Sequence, residues 1–255
     1  YYISLNVPII YITGKSIMKT KALIYTLLFA LVSCSDNFDI DVSFGETESI
    51  NPGIDDAFVS TYKPMESQSI IFKSANIYDG LGGEYRNYDL LLSDGKIEKI
   101  GKSITAVGVL VIDATNKWIT PGIIDIHSHM GVYSAPGVST SSDGNEATAP
   151  VTAEVWAEHS LWTQDPQFAL ALKGGVTAFH VLPGSANLFG GRGATFKNIS
   201  QNTIQAMKFP GAPHSLKMAC GENPKRVYGN RRQAPSTRMG NMAGYRSAWI
   251  DAVEY

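Results

Sequence analysis

Two histidines one residue apart, His127 and His129, close the apolar stretch WITPGIIDIHSHMG that runs from Trp118 to Gly131. On a β-strand, side chains at i and i+2 project to the same face, so the two imidazoles converge. Imidazoles held that way suit a divalent metal such as zinc, with Zn–N bonds of about 2.0–2.1 Å. A pair of ordinary strand histidines would show the same spacing, so the H-x-H pattern alone leaves both readings open. What decides is whether the surrounding elements put the pair at the mouth of a sheet.

Those elements are legible as periodicity and turn chemistry. GIIDIHSHM, after the Thr-Pro-Gly turn, reads as a buried strand. DPQFALALKGG has a helix N-cap in Asp165, a proline at the first helical position in Pro166 and a terminating Gly174. VTAFHVLPG is a second apolar strand, so strand, helix and strand form a βαβ unit and imply an α/β sheet or barrel. SLKMACGE reads as a third strand, and STRMGNMAGYRSAWIDAVEY as a helix capped by Ser236 or Thr237. Upstream, residues 68–120 form short runs of Ile, Val, Leu and aromatics broken by Asp-Gly and Gly-Gly, a small antiparallel β domain. Asp94-Gly95 is its clearest hairpin turn.

Composition narrows the function classes. The chain has 255 residues, 44% hydrophobic and 17% charged, which is globular in make-up. With 21 basic and 23 acidic residues the net charge is −2, and no basic, aromatic-rich stretch offers itself to nucleic acid. Two cysteines, Cys34 and Cys220, are too few for a disulfide framework. Cys34 ends MKTKALIYTLLFALVSC, which has the charged start and apolar run of an export signal over residues 18–34. The apolar part, Ala22 to Val32, is shorter than the about 20 residues that a membrane-spanning helix needs, and an ordinary buried helix is the competing reading. LVSC resembles the lipobox of bacterial lipoproteins, which implies lipidation at Cys34, a membrane anchor and an exported protein of the cell envelope, periplasmic or attached to the outer membrane. Residues 1–17 then read as an upstream extension that is not translated, and residues 35–67 as a polar tether.

The β unit followed by ITPGIIDIHSHMG resembles the opening of the metal-dependent amidohydrolase superfamily. GGVTAFHVLPGSANLFGGRGATFK, KMACGENPKRVYG and PSTRMGNMAGYR are similar to its imidazolonepropionase-like, often exported branch. The resemblance spans residues 69–255 and implies a small β-sandwich-like N-terminal domain followed, over residues 121–255, by the first part of a (β/α)8 TIM barrel. It implies a hydrolase that cleaves C–N bonds of a small amide-type substrate with water activated by one or two divalent ions, zinc first among them.

Residue by residue, the resemblance assigns His127 and His129 as metal ligands. Asp125 matches the motif's aspartate and shares their face, where it either orients an imidazole or serves the strand alone. Two-metal members carry a bridging carboxylate, from a glutamate or a carboxylated lysine, and Glu222 stands where a third-strand glutamate would. Capping of the segment after Pro224 by Glu222 and Asn223 is the alternative, and Lys217, early in its strand, ranks second as the bridge. His180 either reaches substrate or is a satisfied core histidine, and the Gly-rich segment Gly184 to Gly193 is either a turn or an anion cradle. Arg192, Lys225 and Arg226 pair with a substrate carboxylate or face solvent. His159 and His214 read as solvated, and Cys220, beside Glu222, as a buried inert thiol.

A (β/α)8 barrel takes about 250 residues, roughly twice the length of chain that lies beyond Thr120. The expectation is therefore a reading frame truncated at its C-terminus, with two further histidines and the general-base aspartate beyond Tyr255, and a fragment inactive by itself. A short lipid-anchored module that binds or assembles without catalysis is the competing expectation.

Overall fold

The structure, a computed structural model, describes residues 57–255. The expected upstream extension, the export signal with Cys34, and the tether up to residue 56 lie outside the described residues.

Strands β1 (Ile70–Tyr78), β2 (Glu84–Ser93) and β3 (Lys96–Gly101) form the antiparallel ribbon that the turn residues announce. Asp94 and Gly95 take φ of 51° and 70°, both left-handed, as a two-residue hairpin turn between right-twisted strands requires. The sheet is mixed, however, and not antiparallel throughout. The chain crosses back after β3, and β4 (Leu110–Asp113) and β5 (Trp118–Ile119) both pair in parallel with the free edge of β1. Asp89 pins that crossover: it is buried, takes Lys73 Nζ at 2.6 Å, and accepts the backbone N–H groups of Ser74 and Ile104 at 3.0 and 2.9 Å. Burial pushes its carboxyl upward, and the bonds from Lys73, Ser74 and Ile104 outweigh that and hold it below the ordinary value. Phe72, Ala75, Ile77, Leu90, Ala114 and Ile119 make the core of this sheet.

The second sheet begins with β6 (Ile123–Ser128), continues through α1 (Pro166–Lys173) and returns in β7 (Val176–Val181), parallel to β6 as expected of a βαβ unit. Asp165 caps α1, its carboxylate accepting the Gln167 N–H at 3.0 Å. Next comes a strand, β8 (Phe189–Lys197), antiparallel to β7, and then β9 (Ser215–Met218), antiparallel to β8 and so parallel with β6 and β7. The sheet order is β6-β7-β8-β9. Phe168 of α1, Phe179 of β7 and Phe196 of β8 stack in series at 5.1 and 5.8 Å and lie in the core of this sheet, each contributing about 1.5–3 kcal/mol by burial.

Two local expectations change. Gly184 to Gly193, expected as a turn or an anion cradle, contains the first half of β8. Its glycines answer to crowding: a Cβ on Gly191 would lie 2.6 Å from a Val155 methyl, and one on Gly193 2.7 Å from Ser215 Oγ. The third strand stops at Met218, and α3 (Glu222–Gly229) starts where that strand was expected to continue. Helices α2 (Ile204–Met207) and α4 (Arg238–Glu254) are both capped by threonine; at α4 it is Thr237, accepting the Gly240 N–H at 3.0 Å. Part of the expected tether is tied to the connections around this sheet, with Phe58 N–H on Glu158 at 2.7 Å, Phe58 O on Lys208 Nζ at 2.7 Å and Thr61 N–H on Gln205 O at 3.0 Å.

Candidate metal centre

His127 in β6 and His129, one residue past its end, project together, their ring centroids 5.3 Å apart and their planes at 85°. His129 Nδ1 donates to Leu182 O at 2.8 Å, which places the proton on Nδ1 and leaves the Nε2 lone pair for another partner. A backbone carbonyl holding one nitrogen while the other is presented is the arrangement in which metal-binding histidines are oriented. His127 Nε2 lies 3.2 Å from Lys217 Nζ.

That last contact reports the shape of the sheet. β6 and β9 are at opposite ends of the four-strand order, three spacings apart, or about 14 Å if the sheet were flat. Side chains from the two end strands meet only because the sheet curls, carrying His127 and Lys217 onto its concave side. Lys217 is 8% exposed, and burial lowers the pKa of its amine. The Lys217 charge, then burial and His129, hold His127 below its ordinary value, with Asp125 acting the other way.

Asp125 shares the face, but its carboxylate accepts the His127 backbone N–H at 3.1 Å, an Asx-type contact within the strand. His180 is fully engaged, with Nδ1 2.8 Å from Thr195 Oγ1 and Nε2 2.6 Å from Ser215 Oγ. Burial, then His214 and His127, lower its pKa. Glu222 opens α3, with its side chain 75% exposed and 3.4 Å from Arg226 Nε, one helical turn on. Among the described residues no three His, Cys, Asp or Glu side chains gather within reach of one ion, so the structure does not bring Glu222 to the histidines. The third group at the centre is the amine of Lys217. A third strand running through to Glu222 would put that lysine early in its course; the strand is four residues long, and Lys217 is its third. Gly221, the N-cap residue of α3, is the signal in the sequence that the strand has already ended and that could have found it.

The remaining candidates stand outside this cluster. Cys220 is a free, exposed thiol past the end of β9, where a buried one was expected. His214 packs edge-on against Trp156 at 4.6 Å, His159 against Phe58 at 4.7 Å, and the Arg192 guanidinium sits 4.8 Å over the Trp156 ring. Lys225 lies within α3. Beside the centre a cavity of about 290 Å³ is lined by Asp143, Asn145, Glu146, Trp156, Pro183 and Gly190. Pro183 follows the carbonyl that holds His129, so cavity and centre share a wall.

No family model matches the chain. An amidohydrolase, tasK of Hapsidospora irregularis, is 36% identical over 188 residues, covering 69% of this chain and 19% of that protein. A dihydroorotase from a Thermoanaerobacter species is 36% identical over 80 residues, 31% of this chain and 18% of its own length. The crystal structure of an amidohydrolase from Thermotoga maritima superposes with a TM-score of 0.67 at 41% identity, covering 73% of this chain and 48% of that one. The chain thus spans about a fifth of the two curated relatives and about half of the solved structure. These matches support the amidohydrolase superfamily and a mixed α/β fold of that kind.

Proposed function

We propose that this chain contributes the first metal-binding strand and the bridging lysine of a hydrolase that cleaves C–N bonds in small amide-type substrates. The observation that carries the reading is the convergence of His127, His129 and Lys217 across a curled sheet. The donor set fits a divalent metal, zinc first: two imidazoles, one with its tautomer set by Leu182 O, beside a buried amine of lowered basicity. When bound there, such an ion supplies Lewis-acid polarisation of a carbonyl and a water acidified toward neutrality.

The chain's own residues prepare that chemistry. Leu182 O fixes His129, and burial favours the neutral form of Lys217, which is the form that adds carbon dioxide. In that step the neutral amine nitrogen bonds the carbon as one C=O π bond opens onto oxygen, an N–H proton passes to water, and Lys217 would carry a carboxylate in place of the neutral amine. The bridging role therefore moves from Glu222, which faces solvent, to Lys217. Membership in a (β/α)8 barrel is supported by the curl and by the apolar edges it leaves open, Ile123, Ile124 and Ile126 on β6 and Leu216 and Met218 on β9. The imidazolonepropionase-like branch, and export with lipidation at Cys34 to a membrane of the cell envelope, belong to the same proposal, on the motifs GGVTAFHVLPGSANLFGGRGATFK and LVSC.

The test is the double substitution His127→Ala with His129→Ala in the protein encoded by the whole gene. Bound metal and hydrolysis of a panel of cyclic amides, dipeptides and N-acyl compounds should vanish together. Unchanged metal content in the double variant would overturn the reading.

A further inference from the structure

His180 makes a contact that the sheet order does not by itself allow. It stands on β7 directly opposite Thr195 of β8, yet its Nε2 reaches Ser215 Oγ on β9, a full strand further, at 2.6 Å. Two strand spacings are about 9.5 Å, so the ring must lie across the concave face of β8. Gly193 provides the room. It pairs with Ser215, and a Cβ there would lie 2.7 Å from Ser215 Oγ and 2.7 Å from the Val181 carbonyl oxygen.

The neutral imidazole is satisfied at both ends, because the hydroxyls of Thr195 and Ser215 can each donate or accept. The ring thereby ties three strands together at one level. Ser215 and Lys217 are two residues apart on β9, so the tie and the amine share a face. β9 itself is four residues long, and its pairing with β8 carries a register shift between Phe189 and Gly191. Its backbone ladder alone gives a weak hold on how far Lys217 advances toward His127.

We propose that His180 is a positioning residue: by bridging Thr195 and Ser215 over the gap at Gly193, it sets β9 at the height where Lys217 meets His127. The inference rests on the metal reading only for its consequence; the clamp itself is a property of the sheet. With both ring nitrogens held by hydroxyls, His180 acts through Lys217.

The experiment uses the protein encoded by the whole gene and compares wild type with His180→Phe, His180→Gln and Ser215→Ala. Two quantities are read: the nuclear Overhauser contact between Lys217 Hε and the His127 ring in metal-free protein, and the dissociation constant for zinc. Phenylalanine keeps the ring but makes neither hydrogen bond, while the glutamine amide can bond both hydroxyls. We expect the contact to be lost in His180→Phe and weakened in Ser215→Ala. Zinc affinity should fall by about 10–100-fold in His180→Phe, the range found for groups that orient ligands, and His180→Gln should restore most of both. Full contact and wild-type zinc affinity in His180→Phe would overturn the proposal. So would an equal loss in His180→Gln, because any replacement would then do the same damage. A wild-type protein that shows the Lys217 contact but takes up no zinc overturns the metal reading and leaves the clamp standing.

Discussion

Asp165 combines the cap of α1 with the anchor of the loop that leaves the histidine strand, and its removal should cost more than a cap. The residue is 2% exposed. One carboxylate oxygen accepts the N–H groups of Gln167 and Ala135 at 3.0 and 3.3 Å; the other accepts the Gly131 N–H and the Gln167 side-chain amide, both at 2.9 Å. Gly131 stands two residues after His129 with φ of +82°, and a Cβ there would lie 2.8 Å from Leu161 Cγ, so this backbone has little freedom to find another partner. Losing the cap alone costs about 1 kcal/mol, and stranding the Gly131 and Ala135 donors adds about 1–3 kcal/mol between them, most of it at Gly131. Asp165→Ala should therefore destabilise the protein by about 2–4 kcal/mol, read as a lower urea midpoint at unchanged m-value. Asp165→Asn keeps one acceptor oxygen and should cost about half as much. A loss under about 1 kcal/mol for the alanine variant would show that only the helix cap matters and refute the coupling to the strand loop.

Three further outcomes are expected from the same kinds of contact. Glu158 and Lys208 pair at 2.6 Å with side chains 0% and 7% exposed, so Glu158→Gln, which leaves the lysine charge buried, should cost about 3–5 kcal/mol in urea unfolding, and Glu158→Leu with Lys208→Met should cost less than that. His180 is held below its ordinary value of 6.5, so the unfolded chain takes the proton first, and stability should drop as pH falls below about 6.5. An equally steep drop in His180→Phe would assign the effect elsewhere. Glu222→Gln should leave bound metal unchanged, since that side chain is 75% exposed, whereas Lys217→Met should reduce it; metal analysis of the two variants reads both.

The histidine strand, the βαβ unit, the Asp94-Gly95 hairpin and the Asp165 cap are legible in the sequence because each is written in local chemistry: period, turn dihedrals or a capping side chain. The burial expected of the histidine strand is not met, since Ile123, Ile124 and Ile126 on this edge strand are exposed. β8 is not, because its glycines are set by neighbours distant in sequence, Val155 and Ser215, and read locally as a turn. The same blindness displaces the third group of the site. Lys217 reaches His127 through sheet curvature and the early end of β9, neither of which is a property of the residues around it. His180 presents two readings in the sequence, and only the cross-strand hydroxyls show that both its nitrogens are engaged.

The central claim is that His127, His129 and Lys217 form one metal-binding centre. Zinc-edge anomalous diffraction from crystals of the protein encoded by the whole gene tests it most directly. The expected result is a peak about 2.0–2.1 Å from His127 Nε2 and His129 Nε2, with added density on Lys217 Nζ facing it. A zinc-loaded crystal with no peak there, and Lys217 still an unmodified amine against His127, would contradict it.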